Sequence, residues 1–185
     1  GGASTETDQA ARRAASNNSV RATNESAATP VERIAVERKY ELLLTAADAQ
    51  RWLAKITAAP LVAFDTETTS LDPFGARLVG MSFATAPGEA AYLAIAHSYP
   101  GAPDQLGVAG ALAVFRGWLE SDAAKKVGQN IKYDQHVLAN HGVALAGIAH
   151  DTLLESYVIE SHMRHDMDSL AERHLGEKTI SYDEV

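Results

Sequence analysis

The stretch that decides the fold is Leu61-Val-Ala-Phe-Asp-Thr-Glu-Thr-Thr-Ser-Leu-Asp72. Its first four residues are apolar and predict a buried strand, and its end, just before Pro73, predicts a loop. Asp65 and Glu67 stand two residues apart, so their side chains point to the same side of a strand. Two such carboxylates repel each other and lose hydration at a buried strand end. Because Mg²⁺ and Mn²⁺ prefer carboxylate oxygens, the pattern predicts a metal site; the alternative is a solvated strand end with Glu67 in a salt bridge.

The composition is that of a globular protein, with 46% hydrophobic residues in 185, which predicts one domain plus an extension. The absence of cysteine excludes disulfides and thiolate metal sites. No apolar run approaches the roughly 18 residues of a membrane helix, and the N-terminus lacks a signal-peptide pattern. We therefore expect a cytoplasmic protein without a membrane partner.

The net charge of −8 is unusual for a nucleic-acid binder. Residues 1–39 hold 6 basic and 5 acidic side chains, whereas residues 40–185 hold 10 and 19, which gives +1 and −9. An acidic surplus is expected in a domain whose carboxylates hold cations.

The order of the predicted elements indicates an α/β fold. Residues 1–35 are predicted to be a disordered linker, because residues 1–30 have no aromatic side chain and one large aliphatic residue, Val20. Strands are predicted over residues 40–44, 61–67, 77–85, 89–96, 125–129 and 148–149, and helices over residues 45–59, 104–120, 131–141, 151–161 and 168–175. An antiparallel meander followed by alternating helices and strands predicts a mixed sheet flanked by helices over residues 36–185.

A second acidic motif, Val127-Gly-Gln-Asn-Ile-Lys-Tyr-Asp134, runs from a predicted strand into a predicted helix. Gly128 permits close backbone approach, and Asn130 is placed to cap the helix. Asp134 then lies in the first turn, where the helix dipole favours an anion, and dipole compensation alone is its simpler interpretation. If the two strands are neighbours, Asp134 joins the two carboxylates of the first motif in a three-carboxylate cluster, as in two-metal phosphoryl-transfer sites.

Four stretches together resemble the 3′–5′ proofreading exonuclease domain of bacterial DNA polymerase I, the family A DNA polymerases. Phe64 to Asp72 and Gly128 to Asp134 resemble the first and second exonuclease motifs, and residues 151–157 and 165–173 are similar to the same family. The resemblance covers residues 40–185. It implies a ribonuclease H-like fold, Mg²⁺ or Mn²⁺ as cofactor, and a single-stranded 3′ end of DNA as substrate. It also implies a polymerase domain of the same parent chain as partner, and work in DNA replication and repair at the bacterial nucleoid.

The family also implies four metal-holding carboxylates, of which Asp65, Glu67 and Asp134 match three. The fourth belongs to a Tyr-x-x-x-Asp motif that residues 1–185 do not contain. We therefore expect a C-terminally incomplete exonuclease domain with little activity. In the family, one ion lowers the pKa of the attacking water and the other stabilises the leaving 3′-oxyanion, with Asp134 supporting the site.

The resemblance further implies four contacts with the DNA strand. Leu71 is expected to pack on the terminal base, and Gln129, Asn130 and Arg164 are expected to contact the strand. The simpler interpretations are core packing for Leu71, helix capping for Asn130 and a solvated charge for Arg164.

Two other functions remain open at this point. One is a catalytically inactive domain that serves as a structural or single-strand DNA-binding module. The other is a free-standing ribonuclease D-like or helicase-linked exonuclease, which the polymerase-like stretch after His165 disfavours. His162 and His165 are three residues apart, as zinc ligands can be, but without cysteine or a third nearby ligand we expect surface histidines.

Overall fold

A computed structural model describes residues 36–179. Within this range the strands are β1 (Lys39–Leu43), β2 (Val62–Thr68), β3 (Leu78–Ala86), β4 (Glu89–Ala94), β5 (Lys126–Gly128) and β6 (Ile148–Asp151). The helices are α1 (Ala46–Ala58), α2 (Gly107–Leu119), α3 (Lys132–Asn140), α4 (Thr152–Ile159) and α5 (Met167–Leu175). The linker predicted over residues 1–35 lies outside the described residues. In the described part, every helix is too short or too polar to span a bilayer.

The six strands form one mixed sheet in the order β1-β4-β3-β2-β5-β6. Strands β2, β3 and β4 are the predicted antiparallel meander. Strands β5 and β6 extend the sheet in parallel beyond β2, and β1 lies parallel to β4 at the opposite edge. The predicted mixed sheet flanked by helices is therefore confirmed.

The main core lies on one face of the sheet, beneath α1, α2 and α3. Alternate residues of β2 supply it, since Val62 and Phe64 are 1% and 2% exposed. Phe83 of β3 stacks on Phe115 of α2 with ring centroids 5.0 Å apart. Trp52 of α1 is fully buried in this core. This packed face fixes the central strand from which the acidic side chains project.

Helix α1 begins as predicted, and α2 does not. The Thr45 side chain accepts from the Asp48 N–H while the Asp48 side chain accepts from the Thr45 N–H, a capping box that satisfies two otherwise free donors. Helix α2 begins at Gly107, three residues after the predicted start, without a side-chain cap. Gly107 has a φ of +68°, a left-handed conformation that delays the helix.

The opposite face of the sheet is covered more loosely, by α4 and α5. A cavity of about 560 Å³ lies between these helices and the sheet, and the small side chains of Ala63, Ala84 and Ala90 form part of its floor. The register places these three alanines side by side on neighbouring strands. Asp65 and Gln129 line the same cavity, so it adjoins the acidic end of β2.

Candidate active site

The acidic residues of the first motif lie where β2 extends past the end of β5. Strand β5 pairs with only the first two residues of β2, whereas β3 pairs with β2 from Ala63 to Thr68. Asp65 lies opposite Ser82, and Glu67 lies opposite Gly80. Because strand side chains alternate, the two carboxylates share one face, as predicted. Residues 64–68 of β2 have no strand partner on the side of β5, which leaves space for another element of the fold.

Helix α3 fills that space through Asp134. The Oδ1 atom of Asp134 accepts a hydrogen bond from the Thr66 N–H at 2.8 Å and another from the Thr66 hydroxyl at 2.6 Å. Asp134 is 1% exposed and lies in the first turn of α3. If β5 were longer, one of its backbone carbonyls would accept the hydrogen bond from the Thr66 N–H. The Asp134 carboxylate accepts that bond instead, and it therefore contacts the residue between Asp65 and Glu67.

The electrostatics of this cluster favour an added positive charge. Burial, then the charges of Asp134 and Glu67, raises the pKa of Asp65 to about 7. Burial also raises the pKa of Asp134 to about 6, although the hydrogen bonds from Thr66 act in the opposite direction. Within residues 36–179 none of the three carboxylates forms an ion pair. Buried carboxylates without a cationic partner are costly, and a bound cation removes that cost.

The donor set fits a hard divalent ion, which prefers carboxylate oxygens to other ligands. Over the described range, no three acidic or histidine side chains are already gathered as a closed metal site. Glu67 is exposed, so its side chain has room to turn. Asp65, Glu67 and Asp134 are the residues whose side chains could hold a metal here.

The loop after β2 is fixed by a tyrosine that the sequence analysis did not single out. The Tyr133 hydroxyl contacts the Thr68 hydroxyl and donates to the Ser70 carbonyl. Leu71 follows with 96% of its surface exposed, so its interpretation as a core residue is wrong. The position of Tyr133 next to Asp134 in the second motif was the available signal. Its bonds hold the loop so that Leu71 faces solvent beside the acidic strand.

Gln129 is engaged inside the protein. Its side-chain Nε2 donates to the His165 carbonyl at 2.7 Å, and its Oε1 accepts from the Thr152 hydroxyl. These bonds tie the end of β5 to the start of α4 and to the turn before α5. The amide therefore joins three segments around the acidic cluster.

Asn130 does not cap α3 as predicted. The residue before the helix is Ile131, which makes no side-chain capping bond. Asn130 has a φ of +56°, a left-handed conformation that is uncommon outside glycine, and its N–H donates to Asp151 Oδ1 at 3.0 Å. This conformation explains why the predicted cap fails, and the Asn130 side chain is exposed.

The segment between α4 and α5 holds the last predicted contact. Arg164 has 83% of its side chain exposed and pairs with Asp166 at 3.0 Å, as expected of a solvated charge. The expectation of surface histidines is correct for His162, which is exposed, and wrong for His165, which is 6% exposed. His165 Nδ1 lies 2.8 Å from the Ser156 hydroxyl, because the turn folds back under α4.

Comparisons with known proteins agree with this fold. A family model described as 3′–5′ exonuclease matches residues 40–185. DNA polymerase I of Pseudomonas aeruginosa is 48% identical over 165 residues, which are 88% of this chain and 18% of that protein. DNA polymerase I of Rhizobium leguminosarum is 39% identical over 154 residues, 73% of this chain and 15% of that protein. The chain therefore spans less than a fifth of the length of either relative.

Solved structures share the fold at lower identity. The POL domain of Pol1 from M. smegmatis, in complex with DNA primer-template and dNTP, has a TM-score of 0.60 at 22% identity over 74% of this chain and 23% of its own. The catalytic core of RRP6 from Trypanosoma brucei has a TM-score of 0.61 at 14% identity over 80% of this chain and 37% of its own. The fold is that of the ribonuclease H-like exonucleases. Within that class, the chain belongs to the 3′–5′ exonuclease domain family of DNA polymerase I.

Proposed function

We propose that this domain removes nucleotides from the single-stranded 3′ end of DNA by metal-dependent hydrolysis of the terminal phosphodiester. Its task would be proofreading for a polymerase domain of the same parent chain, during replication and repair in the bacterial cytoplasm at the nucleoid. The observation that carries this proposal is the Asp134 carboxylate bonded to Thr66, between Asp65 and Glu67. Three carboxylates around one strand end, with no cationic partner in the described residues, suit Mg²⁺ or Mn²⁺.

The protein groups would divide the work by position. Asp65 and Glu67 would hold the ions, and Asp134 would support them while its bonds to Thr66 keep the strand end in place. Two divalent ions held there would supply an activated water and would stabilise charge on the leaving oxygen. Asp65 is half-buried, so less water surrounds its carboxylate and electrostatic interactions with it are stronger than in bulk water.

The strand would be held by exposed groups on both sides of the acidic cluster. Leu71 would pack on the terminal base, and the exposed side chains of Asn130 and Arg164 would contact the strand. Gln129 would contact DNA through its amide only after giving up its bonds to Thr152 and His165. We therefore assign Gln129 to holding the segments that carry Asn130 and Arg164.

The 185-residue chain by itself is proposed to be a slow enzyme. Its sequence contains no Tyr-x-x-x-Asp, so one charged ligand and one water-orienting hydroxyl of the family pattern have no counterpart. A misplacement of the reactive groups by about 1 Å can cost about 100-fold in rate. Weak metal binding and slow cleavage are the expected results.

The test is the shortening of a 5′-labelled single strand in the presence of Mn²⁺. We expect slow removal from the 3′ end by this chain, faster removal by a longer chain that supplies the Tyr-x-x-x-Asp motif, and none after Asp65→Ala in either. Asp122→Ala removes an exposed carboxylate far from β2 in sequence and serves as the control, with unchanged activity. Equal rates for the short and long chains would contradict the ligand assignment. Strand binding without cleavage by the long chain would support the inactive binding module instead.

A further inference from the structure

A tyrosine on the same sheet as the acidic strand has no part in the proposed mechanism. Tyr92 of β4 lies opposite Ser82 of β3, and Ser82 lies opposite Asp65 of β2. Residues in register across neighbouring strands present their side chains on the same face of the sheet. Tyr92 is therefore on the face that carries Asp65 and Glu67, two strands away from them.

The Tyr92 ring leans toward Glu67 because Gly80 leaves it room. A Cβ atom at Gly80 would lie 1.9 Å from the Tyr92 hydroxyl oxygen, so the hydroxyl rests directly over that glycine. Gly80 is the register partner of Glu67, and neighbouring strands are about 4.8 Å apart. A tyrosine hydroxyl is protonated at neutral pH and can both donate and accept a hydrogen bond.

His97 holds the Tyr92 hydroxyl from the other side. Its Nε2 atom lies 2.7 Å from the hydroxyl oxygen. The Gln105 amide accepts from the His97 N–H at 2.8 Å and donates to the His97 carbonyl at 2.9 Å. The bonds to Gln105 hold the backbone of His97, and so keep its ring beside the Tyr92 hydroxyl. When Nε2 carries the proton, the ring donates a hydrogen bond to the tyrosine oxygen. The phenol proton is then free to point to another acceptor.

We propose that Tyr92 is a positioning residue for Glu67: its hydroxyl, backed by His97, donates to the Glu67 carboxylate and turns it toward a bound divalent ion. Glu67 is exposed and its side chain makes no hydrogen bond within the described residues, so no other protein group there sets its orientation. Groups that bond to a metal-holding carboxylate set its orientation and its affinity for the metal. This inference rests on the proposed metal site.

The test is a double-mutant cycle on Mn²⁺ affinity, with free Mn²⁺ measured by electron paramagnetic resonance. We expect Tyr92→Phe to weaken Mn²⁺ binding by about tenfold, within the range typical of such outer partners. In a Glu67→Gln background the same change should have no further effect, because the group that Tyr92 orients has lost its charge. Tyr99→Phe removes a hydroxyl from a neighbouring, 58% exposed tyrosine and should match the wild type.

A second readout does not depend on the metal. The ¹³Cζ resonance of Tyr92, assigned through Tyr92→Phe, should shift in Glu67→Gln while that of Tyr99 stays in place. Equal Mn²⁺ affinity of the wild type and Tyr92→Phe would overturn the inference alone, as would a tenfold loss that persists in Glu67→Gln. A wild-type chain that binds no Mn²⁺ would overturn the proposed metal site and this inference with it.

Discussion

At the scale of single residues, the contact between Thr66 and Asp134 holds the site together. One carboxylate oxygen accepts both the N–H and the hydroxyl of Thr66, at 2.8 and 2.6 Å. The threonine side chain points away from the face of Asp65 and Glu67, so the bond anchors the strand without competing for a metal on that face. The sequence placed all three carboxylates near one another but gave no sign of this anchor.

Thr66→Val tests the anchor with little change of shape. The hydroxyl bond to a buried carboxylate disappears, and Asp134 at 1% exposure has no water to replace it. Hydrogen bonds to charged groups contribute about 2 kcal/mol, so the free energy of unfolding should fall by about that amount in urea titrations. Thr57→Val, at an exposed position of α1, is the matched control and should cost less than about 0.5 kcal/mol. Equal decreases in the free energy of unfolding for Thr66→Val and Thr57→Val would contradict this role of the Thr66 hydroxyl.

Asp65→Asn tests the electrostatic cost of gathering these carboxylates in metal-free buffer. The pKa of Asp65 is raised from 3.8 to about 7 in the folded protein, so the folded state holds the proton more tightly than the unfolded state. This contribution to stability is complete below about pH 4 and is lost as the pH rises through 7. In EDTA, Asp65→Asn should therefore raise the Tm more at pH 8 than at pH 4.5.

Two controls accompany that measurement. Mg²⁺ should narrow the difference at pH 8, because it neutralises the carboxylate only in the wild type. Asp104→Asn, at an exposed loop position, should change the Tm by the same small amount at both pH values. A Tm gain for Asp65→Asn that is independent of pH would contradict a buried, uncompensated carboxylate.

At the scale of secondary structure, the sequence was most informative where the signal is local. The apolar run before Asp65 located β2, and the predicted start of α1 at residue 45 is its cap, Thr45. Helix α5 ends at Leu175, as predicted, just before Gly176 with its φ of +63°. The edge position of β1 could not be predicted, because its partner β4 begins 50 residues later in the chain. Likewise, the burial of His165 depends on how the turn before α5 folds back.

Asp151 joins two elements at the site and permits an element-scale prediction. Its Oδ1 atom accepts from the N–H groups of Leu153 and Leu154 at the start of α4, and from the Asn130 N–H. Asp151→Ala should cost about 1 kcal/mol of stability as a lost cap. It should also weaken single-strand DNA binding, because the left-handed Asn130 loses its anchor.

The matched control for Asp151→Ala is a cap on another helix. Thr45→Ala should cost a similar amount of stability, since Thr45 caps α1 against the main core. Its affinity for a fluorescein-labelled single strand, measured by anisotropy in Ca²⁺, should equal that of the wild type. If both variants bound DNA equally well, Asp151 would be a helix cap and nothing more.

At the scale of the whole molecule, the two faces of the sheet are packed differently. The face beneath α1, α2 and α3 carries the continuous core, whereas α5 buries no residue fully and α4 buries only Ser156. The outer surface of α4 is apolar, with Leu154 and Val158 exposed by 60% and 85%. Contiguous exposed apolar surface favours association, which the net charge of −8 opposes.

Val158→Asp tests whether the apolar surface of α4 or the net charge of the chain controls association. At low salt the repulsion between acidic chains should keep the protein dispersed. At 0.5 M NaCl the Debye length falls to about 4 Å, and the sedimentation coefficient of the wild type should rise with protein concentration. Val158→Asp should abolish that rise, because it places a charge in the middle of the apolar surface of α4. Ala47→Asp adds the same charge to an exposed position of α1 and should associate like the wild type, whereas an equal suppression by both variants would show that net charge alone controls association.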